Sequence, residues 1–600
     1  MATLTDIKLS DDQSAAVKSD APAILVTASA GSGKTEVVAQ RVERLLSADP
    51  GGFSRVLALS YTVKASNELK DRFEARLGSA AERVDTDTVH GFAHRLLRQS
   101  GPWIGLPIEP EILTRVEDRV ELLARWLEEQ GRSQPRDPVG ALAAIDLARA
   151  RCDGAPPYLE DWRDALDSAR ALDYGAMLER ATELVSRPTT RRQLGTLYHH
   201  VIVDEAQNLT PAQYRLLRCL LGEPPLSTTH AMFIGDDKQS IVGFSGGDHR
   251  LMTLFAEDYS AERHYLTTNY RSARAIVALG DRVAARLGHG ESSSEVNYAA
   301  PGSIAVEALA TEEDEGHYVA EWVSGLLTRG LPADIVVEGE STTVRADQIA
   351  VLGRSSAALR ATERALESRG IATATAVALE DWLTSRAGQI VLELIAMHAA
   401  DHRSTKWQMA RMLDVDEADV ESIDGLASIL ARSSDHQQRA LSTLCTVDQP
   451  PDFVASLEKV EIDDPNWQAD VLQIEDAWGM FTLRTDHAAQ NWSNFRMFLT
   501  RMQRANDLAD GVRCLTVHKS QGREYRAVAI VGMNDGQFPD FRAAAQAERE
   551  AELRAFYVAV TRPTRALLLT RARSRLTRYS ARTTEPSPFL HFLHSDSTPT

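Results

Sequence analysis

Cysteine is scarce in this chain. The 600 residues contain four, Cys152, Cys219, Cys445 and Cys514. None lies near another, so no CxxC or Cys/His spacing exists for a zinc finger or an iron–sulfur cluster. Four reduced core thiols are expected. A positive balance is also lacking: 66 Lys and Arg stand against 85 Asp and Glu, a formal charge of −19. That excludes a globally basic nucleic-acid coat protein, though not a local basic groove. Long apolar runs are missing. The best, residues 390–400, falls short of the roughly 20 residues of a membrane span and contains Glu393 and His398. The opening MATLTDIKLSDDQ has no basic segment leading into an apolar one, so no signal peptide is read. No repeat occurs at solenoid periods. These absences point to a soluble, cytoplasmic protein.

What is present is globular. Hydrophobic residues are 43% and charged residues 25%, enough for several cores and too apolar for disorder. At roughly 150 residues per domain the length suggests about four domains. Short β-type runs recur at 23–26, 56–59, 201–203, 232–234, 349–352, 528–531 and 566–569. Amphipathic helical stretches alternate with them, the pattern of parallel sheets covered by helices. The runs fall into two groups, each interrupted by a strand-poor stretch near 100–190 and 380–505. Acidic blocks at 312–315 and 414–424 read as solvated faces.

AILVTASAGSGKTEVV places a strand before Gly31-Ser32-Gly33-Lys34-Thr35 and a helix after it. Glycines let backbone N–H groups wrap a phosphate, Lys34 sets a cation on the terminal phosphates, and Thr35 offers a hydroxyl to Mg²⁺. The first glycine of the usual GxxxxGKT pattern is replaced by Ala28. In LYHHVIVDEAQNL a buried strand ends on Asp204, suited to the Mg²⁺ shell, and Glu205, suited to polarising water. Ligands gather outside the carboxyl ends of parallel strands.

The order of motifs then runs through LSDDQSAAV, TASAGSGKT, RVLALSYTVKASNELKDR, DTVHGFAHRLLR, VIVDEAQNLTPAQYRLL and FIGDDKQSIVGFSGG. It continues with YLTTNYRS, QIAVLGRSSAALRATERALESRGI, VRCLTVHKSQGREYRAVAIVGMNDGQFP and AELRAFYVAVTRPTRALLLT. The chain resembles the UvrD/Rep/PcrA-type superfamily 1A DNA helicases over nearly its whole length. Its phosphate loop is worded most like the RecB/AddA branch, but no nuclease domain is expected after the last motif.

The resemblance implies two RecA-like P-loop NTPase domains, an α/β fold with parallel sheets, each carrying a helical insertion. Residues 1–100 and 191–265 would form the first core, and 101–190 its insertion. Residues 266–378 and 506–600 would form the second core, with 379–505 a small second insertion. It further implies that Gln13 reads adenine and Tyr270 stacks on it. Ala30, Gly31, Ser32, Gly33, Lys34 and Thr35 would cradle the ATP phosphates. Arg271 and Arg562 would be arginine fingers, Gln239 a γ-phosphate sensor and Glu524 a nucleotide contact. Tyr61, His90, Phe244, Thr516 and His518 would meet DNA. Local charge fits such a track: Arg501, Arg504, Arg513, Lys519, Arg523 and Arg526 outnumber nearby acids, and His90, His94, Arg95 and Arg98 recur at helical spacing.

The chain departs from the family pattern at several points. Val242 stands for a stacking Tyr, Ser245 for Arg, Val63 for Asn, Glu36 for a frequent Arg and Asn208 for Asp, while Pro563 should end a helix early. The expectation is an ATP- and Mg²⁺-dependent, 3′→5′ single-strand DNA translocase and helicase in DNA repair or recombination, acting at single-/double-strand junctions. A nuclease or repair factor would be its partner. The rivals are a motor subunit of a nuclease or phage-defence complex, a protein-stripping translocase, and an RNA-polymerase-associated NTPase.

Overall fold

The computed structural model describes residues 8–593 apart from 50–51, 53, 108–109, 225–228, 288–295, 298–299, 376–385, 448, 577–580 and most of 400–421 and 458–510. The chain divides into two units, residues 1–369 with 516–600, and residues 370–515.

The first unit contains two parallel sheets, in keeping with tandem RecA-like cores. In the first, β1 (Ala23–Ala28), β2 (Arg55–Ser60), β3 (Val84–Thr88), β4 (Tyr198–Val203), β5 (His230–Gly235) and β6 (Glu262–Leu266) lie in the order β3-β2-β4-β5-β1-β6. Alternation along each interior strand splits its side chains between two cores. Ile24, Val26, Val56, Ala58, Ile202 and Met232 pack on one face. Leu25, Leu57, Leu59, Val201, Val203 and Phe233 pack on the other. That second face is continuous with the helical stretch Val116–Glu129, Pro138–Arg151, Leu159–Ala169 and Tyr174–Ser186, through Leu127, Ile145, Trp162 and Leu184. The helices between β3 and β4 therefore share one core with the sheet.

The second sheet contains β7 (Ser303–Leu309), β8 (Ile349–Gly353), β9 (Tyr525–Ile530) and β10 (Pro563–Ala572), parallel in the order β8-β9-β10-β7. Of the strands named here, β3, β6 and β7 have no counterpart among the apolar runs, and they include both edges of the first sheet and one edge here. VDTDT and ERHYL are polar because an edge strand is covered on one side only.

Two expectations need correction. Glu315 is not on a solvated face: it is 2% exposed, accepts from Gly532 N (2.9 Å) and Thr570 Oγ1 (2.8 Å), and pairs with Arg575. The helix Glu312–Arg329 is capped by Thr311, and its first turn turns one acid inward onto β10. The cysteines are not all core thiols either. Cys445 and Cys514 are buried, Cys219 is half-buried and Cys152 is exposed at a helix end with φ 53°.

In the second unit, helices Arg386–Ala399, Ile423–Arg432, His436–Cys445 and Pro450–Leu457 surround Val391, Leu394, Leu430, Leu444 and Phe453. The His398 ring stacks on Trp492 at 4.2 Å. Much of the acidic 414–424 block, with Arg501 and Arg504, lies outside the described residues. No described helix is long and apolar enough to cross a membrane.

Candidate active site and nucleic-acid face

The loop after β1 passes through Gly31 (φ 73°) and Gly33 (φ 78°), left-handed conformations that glycine adopts freely. Space demands glycine as well. A Cβ on Gly31 would come within 2.8 Å of Asn269 Nδ2, and one on Gly33 within 2.8 Å of Gln13 Nε2. Lys34 and Thr35 then open the helix Lys34–Ser47, whose N-terminal N–H groups and dipole favour an anion. Behind the loop, Gln13 caps its own helix with Ser10 and donates to Ser32 O at 2.9 Å. Its amide props the loop from the buried side, and it does not line the cleft. On the other side, Asn269 Nδ2 donates to Ala30 O (2.7 Å) and Tyr270 N to Gly31 O (2.9 Å). Asn269 is a structural partner the sequence reading did not single out.

Asp204 and Glu205 follow β4 as expected. Asp204 is 6% exposed, and burial first, then the Glu205 charge, pushes its carboxyl up despite Lys34. Glu205 adopts φ 53°, a left-handed backbone unusual for a residue with a side chain, and the sort of strain that collects at functional sites. Its carboxylate is held between Lys34 Nζ (3.4 Å) and Gln207 Nε2 (2.5 Å). Gln207 is fully buried, and its Oε1 accepts from Asp236 N. Asp204 and Glu205 end β4, and Thr35 opens the helix after the phosphate loop, so the three side chains offer oxygen donors. That donor set fits a hard divalent cation completed by phosphate and water oxygens. Among the described residues no group of three or more His, Cys, Asp or Glu forms a self-sufficient metal cage.

The two sheets meet at Gln239. Its Nε2 donates to Asp236 Oδ2 (2.8 Å), and its Oε1 accepts from Arg562 Nη2 (2.7 Å). Asp236 is fully buried; burial works to raise its pKa, but Lys238 and Lys34 prevail and hold it down. Arg562 is 2% exposed, and it also donates to Val558 O and Arg523 O. Burial, then Arg271, lowers its guanidinium to about 10. The preceding helix, Gln546–Val560, stops two residues before it, and Pro563 begins β10. Arg271 donates to Thr561 O (2.9 Å) and pairs with Glu524 (3.2 Å). Gln521 Nε2 donates to Gln239 O (3.1 Å), a further link between the sheets.

Between these groups lies a cleft of about 620 Å³, within the range of small-ligand sites. Gly31, Ser32, Gly33, Lys34 and Thr35 line it from one side, with Glu205, Gln239 and half-buried Tyr270. Arg271, Glu524 and Arg562 line it from the other. The Ser32 hydroxyl is buried with no partner. Ala30 lies just behind, 6% exposed. Glu36 is buried and pairs with Arg76 (2.7 Å) and Arg72 (3.6 Å), so its acid is neutralised. Arg526 lines the cleft, bound to Glu340, which also holds Arg565 (2.9 Å). Arg565 in turn donates to Arg271 O.

Of the residues expected to meet DNA, Phe244 and His518 come together. Phe244 is 70% exposed, and its ring lies edge-on to His518 at 5.6 Å. Thr516, half-buried, sits two residues before His518. Tyr61, half-buried, follows β2. His90 is packed against Tyr174 (5.4 Å) and Gln213, and burial lowers its pKa. Val242 is buried and presents no ring, Ser245 Oγ turns back to Val242 O, and Val63 is exposed. Arg95 is paired with Asp87.

Residues 9–145 and 146–260 match the UvrD/REP helicase N-terminal domain, and 485–574 the UvrD-like helicase C-terminal domain. Together these matches span more than half of the chain. The chain is 26% identical to DNA helicase II of Escherichia coli, over 94% of this chain and 85% of that protein. It is 26% identical to DNA helicase II of Haemophilus influenzae, over 92% and 82%. It is 24% identical to ATP-dependent DNA helicase PcrA of Staphylococcus epidermidis, over 98% and 86%.

Proposed function

The chain belongs to the UvrD/PcrA-type superfamily 1A DNA helicases, ATP-dependent DNA motors, and from that premise we propose that it moves 3′→5′ along single-stranded DNA and opens duplex at junctions during repair or recombination. The observation that carries this reading is the Gln239–Arg562 bond. It joins the phosphate side of one sheet to a buried arginine of the other, across a cleft of nucleotide size.

Phosphoryl transfer is catalysed mainly by positioning and charge stabilisation. The loop amides and Lys34 would hold the β- and γ-phosphates. Thr35 and Asp204 would hold Mg²⁺, which would neutralise phosphate charge when bound and keep Asp204 ionised. Glu205 would orient the attacking water. Arg271 and Arg562 would meet charge developing on the γ-phosphate, and Gln239 would sense its loss. Tyr270 would stack on the adenine and Glu524 would contact the nucleotide from the second core. Gln13, seated behind the loop, would couple adenine recognition to loop shape. Because the arginines come from beyond the first sheet, hydrolysis depends on closure, and closure would draw the strand past Phe244, His518, Thr516, Tyr61 and His90.

The test is ATP hydrolysis with and without single-stranded DNA for the wild type and Lys34→Ala, with unwinding of 3′- and 5′-tailed duplexes. DNA-stimulated hydrolysis lost in the variant, and unwinding of 3′ tails alone, are the expected results. Unchanged hydrolysis in Lys34→Ala would refute the mechanism. Active hydrolysis with no strand displacement would favour a stripping translocase or a motor subunit.

A further inference from the structure

Three neighbouring backbone segments emerge at the carboxyl end of the second sheet. Val517 N donates to Gly353 O (3.0 Å) and Val531 N to Leu352 O (2.9 Å). The chain therefore leaves this end towards His518, towards Arg354 and towards the loop 532–545. Ligands of α/β sheets gather at such ends.

The third exit carries an unexplained feature. Phe538 is fully buried against Phe556 and Phe589 (5.9 and 5.8 Å). Three residues later, Phe541 is 79% exposed, more than any other large apolar side chain described. The backbone that presents it is tied down. Phe541 N donates to Gly536 O (3.1 Å), Asp540 N to Glu552 Oε2 (3.0 Å) and Ala543 N to Asp540 O (3.0 Å). Arg542 lies over the ring at 5.7 Å and is itself held by Asp540 at 2.8 Å. A ring exposed at a flexible tip would need no account, but this one is displayed on an anchored loop.

The same contacts lead back to Phe244. Glu552, which fixes Asp540, also binds Arg354 at 2.6 Å, and Arg354 and Glu552 both act on the charge of His518. His518 is the ring that meets Phe244.

We propose that Phe541 is a further stacking platform for an unpaired nucleic-acid base, with Arg542 beside it for the neighbouring phosphate. It continues the track begun by Phe244 and His518 further along the second core. This rests on the reading of the chain as a DNA motor. An aromatic face on a rigid support takes any base, which suits sequence-independent movement. The guanidinium over one face of the ring adds cation–π attraction and a charge for the backbone.

The test is equilibrium binding of a fluorescein-labelled oligothymidylate, long enough to cross both cores, measured over a salt series. Wild type, Phe541→Ala, Phe541→Trp, Arg542→Gln and Phe244→Ala are compared. Phe541→Ala should weaken binding about tenfold with an unchanged salt slope, because stacking releases no counterions. Phe541→Trp should restore affinity, and Arg542→Gln should lower the slope by up to about one unit. Being exposed, the substituted side chains leave the core intact, and thermal melting checks this. Undiminished binding in Phe541→Ala, with weakened binding in Phe244→Ala, would overturn the proposal. A wild type that binds no oligothymidylate would instead overturn the DNA-motor reading on which it rests.

Discussion

The cleft proposed for the nucleotide and the face proposed for DNA are built in opposite ways. In the cleft nearly every charged group is committed: Lys34 to Glu205, Arg271 to Glu524, and Arg562 to Gln239 and two carbonyls. The residues proposed to meet DNA include an exposed ring, Phe244, and the half-buried rings of His518 and Tyr61. The contrast follows from the two tasks. Charge developing in a transition state is stabilised best by dipoles already oriented before the reaction. A strand that must be gripped and released at every step needs contacts that are individually modest and indifferent to sequence. Fixed charge therefore belongs in the cleft, and open aromatic surface on the track.

The largest expected effect lies in the cleft. Arg562→Ala should lower DNA-stimulated kcat by about a thousandfold, as loss of a transferred arginine does, while oligothymidylate binding without nucleotide changes little. A comparable loss in both would break the separation between the two regions. Next is Asp236→Ala, which leaves the buried Lys238 with Asp237 as its remaining carboxylate and removes the acceptor for Gln239 Nε2. Urea unfolding should report about 3 kcal/mol of lost stability. A neutral result would mean that the bridge between the sheets is held elsewhere, for instance by Gln521.

Phe244→Ala should cost about 2 kcal/mol of single-strand affinity, one stacked base's worth, read by fluorescence anisotropy. An unaltered affinity would remove Phe244 from the track. The smallest effect concerns His200, away from both regions. Burial, then His230 and Arg41, lowers its pKa to about 4. The folded state keeps it neutral, while the unfolded chain protonates near pH 6.5. Stability from this group is therefore full above that pH and lost as pH falls towards 4. Between pH 7 and pH 5 the loss should be about 1 kcal/mol, after allowance for partial exposure of the ring. Denaturation of wild type and His200→Gln across this range isolates it: the variant should show a shallower decline.

Legibility in the sequence followed burial and locality. Strands β1, β2, β4, β5, β8, β9 and β10 each contain a continuous apolar run, because helices cover both faces. The edges β3 and β6 do not, and were missed. The phosphate loop is legible because five consecutive residues do its work, and Asp204-Glu205 because they end a strand. Asn269, Gln207, Asp236 and Glu340 were not singled out. Each acts through a partner distant in the chain, such as Ala30 or Arg565, and a lone polar residue carries no periodic signal. Glu315 was misplaced for the same reason. Charge counted along the chain does not say which way a side chain turns.

By itself, then, the sequence determined the two parallel sheets, the phosphate loop, the carboxylates at the end of β4 and the membership of a helicase family. All of these are written in short stretches whose spacing mirrors backbone periodicity. The tertiary structure alone decided that Arg526 serves the cleft, that Glu315 pins the second sheet, and that Gln239 bonds Arg562 across 323 positions. It also decided that Phe541 stands open while Phe538 is buried. Those outcomes depend on desolvation and on pairing between groups that only folding brings together.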